Sequence, residues 1–149
     1  MYLRQSDLFL GMGHQFLKNA MAISERLSLP EGEVIFSQQD AADHFFILIE
    51  GCVTLRVEGS GAVYTGCHVG ELFGWSSLIG DAVYTATAVS TAPTSLLKFP
   101  AAVFHELLSA DPEAAAVFYS QLAHALGKRL LACYKKGSVN QSSATDENQ

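Results

Sequence analysis

The chain has 149 residues, a length that suits one domain with one core. Hydrophobic residues make up 49% of the chain and charged residues 16%, which excludes intrinsic disorder for its main body. The formal net charge of −6 argues against nucleic-acid binding, which needs clustered Lys and Arg residues to neutralise phosphates.

The N-terminal part of the sequence predicts helices. Apolar residues recur at spacings of three and four between Leu3 and Ile23, with a break at Gly11 and Gly13, so two short helices are expected. The start of the chain carries no basic region followed by a long apolar run, and the whole chain has no apolar run long enough to span a membrane. The sequence therefore predicts a cytoplasmic protein without a signal peptide or membrane contact.

The middle of the sequence predicts short strands. Residues 28–33 contain a turn, and Gly59-Ser60-Gly61 is typical of a hairpin turn. Many short strands separated by turns every 8–12 residues or so indicate a β-sandwich or barrel. The predicted strands cover residues 34–36, 44–50, 52–58, 62–67, 84–90 and 94–99.

The C-terminal part returns to a helical pattern. A short helix is expected at residues 100–108, and Asp111-Pro112-Glu113 is typical of a helix start. An apolar stripe predicts that this second helix runs to about Tyr134 and ends at Gly137. We interpret the basic residues near its end as complements to the helix dipole; they are Lys128, Arg129, Lys135 and Lys136. Residues 1–136 are predicted to form the domain, and residues 137–149 a disordered polar tail.

Cysteine and histidine positions give no sign of a metal site. The three cysteines have no spacing typical of metal ligands and are expected to be reduced, partly buried thiols. The five histidines are scattered; His68 and Glu71 are the one pair that could supply two ligands on a β-roll of the cupin type. No nucleophile motif or phosphate-binding loop is present, so neither catalysis nor a metal is expected.

Two segments of the sequence carry a family resemblance. The first is Ile35-Phe36, a polar bend and the strand that ends at Gly51; the second is Gly70-Glu71-Leu72, followed by Tyr84-Thr85-Ala86-Thr87-Ala88. The first segment resembles the opening strands of the cyclic nucleotide-binding domain family, and the second resembles its phosphate-binding cassette. The resemblance covers residues 8–134. It implies a mainly β fold, a double-stranded β-helix (jelly roll) of about eight strands with N-terminal helices and a long C-terminal helix.

The cassette resemblance also implies ligand contacts. Glu71 would accept a hydrogen bond from a ribose hydroxyl, and Thr85 would supply a hydroxyl donor to a phosphate. The family's phosphate-binding arginine falls on Tyr84, and no arginine lies between Arg56 and Arg129. The serines after Gly74 could contact a ligand or cap a turn, and the aromatic residues Trp75 and Tyr84 could stack on a base or pack in the core. The candidate ligand-binding residues are Gly70, Glu71, Leu72, Ser76, Ser77, Tyr84 and Thr85.

The function implied by this resemblance is regulatory. We expect a stand-alone sensor domain that binds cAMP or cGMP weakly, or another small ligand, and signals through its C-terminal helices. Leu126, Leu130 and Leu131 predict a homodimer through the last helix, and the output would pass to an unidentified protein partner. Only a polar tail follows Gly137, so no helix-turn-helix is expected. The alternative is a protein-interaction or dimerisation module on the same fold that binds no ligand.

Overall fold

A computed structural model describes residues 6–147, with side-chain surroundings for Ser6 and residues 8–135. A 3-10 turn at Asp7–Phe9 is followed by three helices, α1 (His14–Ile23), α2 (Ala101–Ser109) and α3 (Pro112–Glu147). Eight strands lie between α1 and α2: β1 (Glu25–Leu29), β2 (Val34–Phe36), β3 (His44–Glu50), β4 (Val53–Val57), β5 (Gly61–Gly66), β6 (Leu72–Phe73), β7 (Thr87–Ser90) and β8 (Thr94–Pro100).

The strands form two antiparallel sheets of four strands each. Their orders are β1-β8-β3-β6 and β2-β7-β4-β5, and except in the β4–β5 hairpin, paired strands are distant in sequence. This arrangement confirms the mainly β jelly roll with flanking helices. No helix in the described part of the chain is both long enough and apolar enough to cross a bilayer.

Strand β3 is buried on both faces, which explains its unbroken apolar sequence. Phe45 and Ile47 belong to a cluster that packs against the helices, whereas Phe46 and Leu48 belong to a second cluster inside the roll. Successive side chains of a strand point to opposite faces, so β3 joins the helical layer to the interior of the roll.

Phe104 on α2 is the centre of the helical layer. Its ring contacts Phe45 of β3 and Phe118 of α3, each at a centroid distance of 4.9 Å, and Phe16 of α1 at 5.8 Å. Its side chain has no exposed surface. One residue therefore packs against the roll and against both other helices.

Several predicted boundaries differ from the structure. The sequence did not indicate the edge strand β1 or the two-residue strand β6, and Tyr84–Ala86 lie before β7 rather than within a strand. The prediction that α3 ends at Gly137 is wrong, since the helix continues to Glu147. A glycine inside a helix costs only about 1 kcal/mol relative to alanine, so it need not end one. The division into a domain of residues 1–136 and a tail of residues 137–149 stays a prediction.

Cys52 and Cys67 form a disulfide, so the prediction of three reduced thiols is wrong for these two. Strand pairing places Val53 opposite Gly66, and the cysteines stand one position beyond this pair with Cα atoms 4.3 Å apart. The spacing of the two cysteines in the sequence gave no sign of a disulfide. They come together only through the register of the β4–β5 hairpin. Cys133 is free and half-buried.

The position of Phe104 predicts a large effect on stability. Replacing a buried Phe by Ala removes apolar contacts and leaves a cavity, so Phe104→Ala should lower the free energy of unfolding by about 3–5 kcal/mol. The exposed neighbour Val103 gives the control Val103→Ala on the same helix. Urea denaturation monitored by circular dichroism measures both. A Phe104→Ala loss within 1 kcal/mol of the control would contradict this account of the core.

Candidate functional site

The Gly70-Glu71 turn is held by backbone bonds to β3. Gly70 adopts a φ of +91°, which favours glycine, and its N–H donates to the Leu48 carbonyl at 2.7 Å. The Glu71 carbonyl accepts from the Leu48 N–H at 2.9 Å. A 3-10 turn at Trp75–Ser77 follows β6. The Gly70 N–H, predicted to contact a ligand, is therefore already paired with the protein.

The structure places three of the predicted ligand contacts in the interior. Ser76 and Ser77 are buried, and the Ser77 hydroxyl donates to the Gly74 carbonyl at 3.0 Å. The Tyr84 ring stacks on Phe36 at a centroid distance of 4.1 Å, and its hydroxyl donates to the His44 carbonyl at 2.6 Å. These bonds favour turn-capping for Ser77 and packing for Tyr84, while ligand contact by the three residues stays a prediction.

Glu71 is bound by two groups of the β5 side of the roll. Its carboxylate accepts hydrogen bonds from the Tyr64 hydroxyl and, at 3.0 Å, from the His68 N–H. A Cβ at position 66 would overlap the same carboxylate, so Gly66 permits the close approach. Burial, then the bond to Glu71, raises the pKa of Tyr64, which remains a neutral donor to the carboxylate.

Arg129 of α3 reaches into this region. Its guanidinium carbon lies 4.1 Å from the centroid of the Tyr64 ring and 5.1 Å from those of Phe73 and Trp75. Its Nη2 donates to the Leu72 carbonyl at 2.8 Å, whereas its Nη1 is buried without a hydrogen-bond partner. The interpretation of this arginine as a complement to the helix dipole is wrong, because its side chain packs against the roll and α3 continues far beyond it.

Burial is the largest influence on the Arg129 guanidinium. It lowers the pKa of the group, while the phenol of Tyr64 and the carboxylate of Glu71 oppose that change. Arginine stays protonated in proteins even so, and the described site therefore contains a buried positive charge. A buried N–H donor of a charged group that has no acceptor lowers the stability of the folded state. An anion or another acceptor would provide the missing hydrogen bond.

Two cavities meet at Arg129. The first, which we call the outer cavity, has a volume of about 390 Å³ and lies between the Gly70-Glu71 turn and α3. The second, which we call the roll cavity, has about 350 Å³ and opens on the sheet of β4 and β5. The outer cavity is lined by Ser6, Leu8, Tyr64, residues 68–72, Trp75, residues 124–126, Lys128 and Arg129. The roll cavity is lined by Leu55, Val57, Val63, Tyr64, Trp75, Thr85, Ala86, Leu126, Arg129, Leu130 and Cys133.

The residues predicted from the cassette do not all line the same cavity. Gly70, Glu71 and Leu72 line the outer cavity, whereas Thr85 lines the roll cavity. Tyr64 and Arg129 belong to both and were not predicted. The available signal was the spacing on α3, where Arg129 follows Leu126 by three positions and so shares its helix face. No group of three potential metal ligands occurs among the described residues.

The phenols of Tyr64, which is half-buried, and Tyr84, which is buried, predict a late phase in alkaline titration. Burial raises the pKa values of Tyr64 and Tyr84, so both should ionise above the ordinary tyrosine pKa of about 10. Stability from such groups is present below that pH and is lost as the pH rises through the folded-state pKa. Tyr64→Phe should remove part of the late rise in tyrosinate absorbance. The exposed-residue control Tyr134→Phe should leave that part unchanged; equal late phases in both variants would contradict the prediction.

Comparisons with known proteins agree with the fold and with the family resemblance. The sequence profile of the family described as "Cyclic nucleotide-binding domain" matches residues 26–111. A cyclic AMP receptor protein of Thermus thermophilus is 30% identical over 98 residues, which cover 64% of this chain and 45% of that protein. A cyclic nucleotide-gated potassium channel of Mesorhizobium japonicum is 28% identical over 74% of this chain and 30% of its own length. The chain therefore spans less than half the length of these two relatives.

A solved structure also agrees with the fold and the family. A Geobacter metallireducens GS-15 protein, assigned to the cyclic nucleotide-binding proteins, superimposes with a TM-score of 0.78 at 32% identity. The match covers 86% of this chain and 95% of that one. Because the family profile covers more than half of the sequence and the jelly roll agrees with it, the chain belongs to the cyclic nucleotide-binding domain family.

Proposed function

We propose that this protein is a non-catalytic, cytoplasmic regulatory domain that binds a small anionic effector in the roll cavity. Its anionic group would pair with Arg129. The observation that carries the proposal is that Arg129 lines this cavity and that its Nη1 is buried without a hydrogen-bond partner. A phosphate or carboxylate oxygen at this atom would form a charge-assisted hydrogen bond and remove the cost of the orphaned donor.

Cyclic nucleotides are the first effectors to test. The family supplies this class, and the cavity of about 350 Å³ offers Trp75 as a ring partner and the Thr85 hydroxyl as a donor. The Gly70 N–H and the Ser77 hydroxyl are bonded within the protein. We therefore expect cAMP or cGMP to bind weakly, with the cation supplied by α3 instead of the strand that follows the cassette.

The position of the cation gives a route for the signal. Arg129 belongs to α3, so a ligand that pairs with its guanidinium acts directly on that helix. Leu126 and Leu130 line the same cavity and would move with it. Such a ligand shifts the helix only if it binds two arrangements of α3 with different affinities. The output would pass to an unidentified protein partner.

Calorimetric titration with cAMP and with cGMP tests the effector site. Because a charge-assisted hydrogen bond contributes about 1.5–3 kcal/mol, Arg129→Gln should weaken nucleotide binding by about ten- to a hundredfold. Lys135→Gln removes an exposed positive charge from the same helix and should bind like the parent. Glu71 lines the outer cavity and accepts the hydrogen bond of Tyr64, which also lines the roll cavity, so Glu71→Ala should also weaken binding. The same heats for the parent, Arg129→Gln and Glu71→Ala would refute the effector site.

A second surface of α3 supports homodimerisation. Leu130, Leu131 and Tyr134 are 52%, 58% and 63% exposed, at neighbouring positions on one stretch of helix. Large apolar side chains grouped in this way favour contact with another helix, and a second copy of the chain supplies the same residues. The same observation favours the alternative function, an interaction or dimerisation module without a ligand.

Light scattering coupled to size-exclusion chromatography tests the dimer. Leu131 lines neither cavity, so Leu131→Glu should convert a dimer to a monomer without altering the effector site. Ile79→Glu, at a position 51% exposed outside α3, is the matched control and should stay dimeric. A monomeric parent, or a Leu131→Glu variant with the mass of a dimer, would refute this interface.

A further inference from the structure

The Cys52–Cys67 disulfide joins an anchored residue to an exposed one. The Cys52 N–H donates to the Thr94 hydroxyl at 3.3 Å, and the Cys52 carbonyl accepts from the Thr91 N–H at 2.9 Å. Cys67 directly follows β5 and is exposed to solvent, whereas Cys52 is half-buried. We therefore expect a small thiol to reach the bond from the Cys67 side while the fold is intact.

The exposed end of the disulfide lies beside the Glu71 carboxylate. His68, which follows Cys67, donates its N–H to that carboxylate at 3.0 Å, and the His68 carbonyl accepts from the Glu71 N–H at 3.2 Å. Gly66 precedes Cys67, and a Cβ at this position would overlap the same carboxylate. Both neighbours of Cys67 therefore lie against Glu71, and the disulfide holds the short segment that contains them.

Reduction would remove the covalent part of this hold. Residues 67–69 are all exposed, so burial of apolar surface does little to keep them in place. With the bond broken, the segment stays attached at one end through β5. At the other end it is attached through the Gly70 N–H, which donates to the Leu48 carbonyl. The His68 N–H would then spend more time away from the Glu71 carboxylate.

We propose that the Cys52–Cys67 disulfide is a thiol-responsive switch that orders the Glu71 turn when oxidised and loosens it when reduced. The reductant is a low-molecular-weight monothiol of the glutathione class. Its thiolate attacks the Cys67 sulfur, which forms a mixed disulfide and releases Cys52 as a thiolate that takes up a proton. A second thiol then releases Cys67 as a thiol, and the two reductant molecules leave joined as a disulfide. Two electrons and two protons pass to the protein.

Exposure of the bond and the proposed location of the protein both favour this role. Exposed disulfides are commonly labile or regulatory, and disulfides in the cytosol are usually transient or redox-sensing. The cytosolic location and any effect on an effector rest on the proposed function. Glu71 accepts the hydrogen bond of Tyr64, whose side chain lines the roll cavity. Loosening Glu71 would loosen Tyr64 as well, so reduction should weaken effector binding.

A thiol count tests whether the bond opens in the folded protein. The oxidised chain carries one free thiol, Cys133, and the reduced chain would carry all three. The full chain is equilibrated with glutathione at increasing ratios of the reduced to the oxidised form, quenched with acid, alkylated and weighed by mass spectrometry. We expect a reversible change from one thiol to three while circular dichroism stays native. A bond that opens only when the chain unfolds, or that oxidised glutathione does not re-form, would overturn the switch.

Hydrogen exchange tests whether reduction loosens the Glu71 turn. The amide of His68 should exchange several-fold faster in the reduced chain, because its hydrogen bond to Glu71 opens more often. Peptides from α2 should exchange equally in both forms. Cys67→Ser should show the fast exchange in every buffer, without a response to glutathione. Cys133→Ser retains the disulfide and should respond to glutathione as the parent does.

Two results of the exchange experiment would overturn the proposal. Equal exchange of the Glu71 turn in the oxidised and reduced chains would remove the link between the disulfide and Glu71. A glutathione response that persists in Cys67→Ser would assign the effect to a different cysteine. If Cys67→Ser does not fold, Cys52→Ser takes its place, and the comparison of the parent in its two redox states decides without either variant.

Calorimetry tests the regulation of the effector site separately. The reduced parent should bind cAMP or cGMP about tenfold more weakly than the oxidised parent, within the usual range of coupling between sites. Equal affinity in the two redox states would overturn this regulation. If neither nucleotide binds the oxidised chain, the proposed effector fails, whereas the thiol count and hydrogen exchange still decide the switch.

Discussion

A guanidinium buried against aromatic rings determines how α3 lies on the roll. Removing a charge from water is costly, and Arg129 recovers this cost through the rings of Tyr64, Phe73 and Trp75 and through the carbonyl of Leu72. Tyr64 is in turn oriented by Glu71. The last helix, the cassette and strand β5 are therefore connected by one set of polar contacts.

The fold could be predicted from the sequence to the extent that local pattern determined it. The hairpin turn at Gly59-Ser60-Gly61, the apolar run of β3 and the Asp111-Pro112 helix start each depend on neighbouring residues, and all three appear in the structure. Asp111 caps α3 through its carboxylate, which accepts from the Ala114 N–H at 3.1 Å. Strands β1 and β6 depend on pairing with β8 and β3, so the short local pattern did not identify them.

The site was less predictable because its parts come from distant stretches of the chain. The cassette pattern indicated Glu71 and Thr85, which line different cavities on either side of Tyr64 and Arg129. The buried cation beside Glu71, Arg129, belongs to a helix and contacts the carbonyl of Leu72, which lies 57 positions earlier in the chain. No local spacing reveals such a partner, since the path of α3 across the roll depends on its packing against elements distant in sequence. The one indication of a buried role for Arg129 was its position beside the apolar stripe of α3. An arginine at such a position is equally typical of a helix face that contacts solvent.

The Cys52–Cys67 bond has a consequence for the strand that carries Tyr64. It closes a segment of 15 positions around the β4–β5 hairpin, whose pairing shifts between Leu55 and Arg56. A slip of one residue in an antiparallel pair would turn every side chain of β5 to the opposite face. With both ends of the hairpin tied, such a slip would require the covalent bond to break. The Tyr64 side chain therefore keeps to one face of the hairpin in every state that retains this pairing, including partly unfolded states from which α3 has detached.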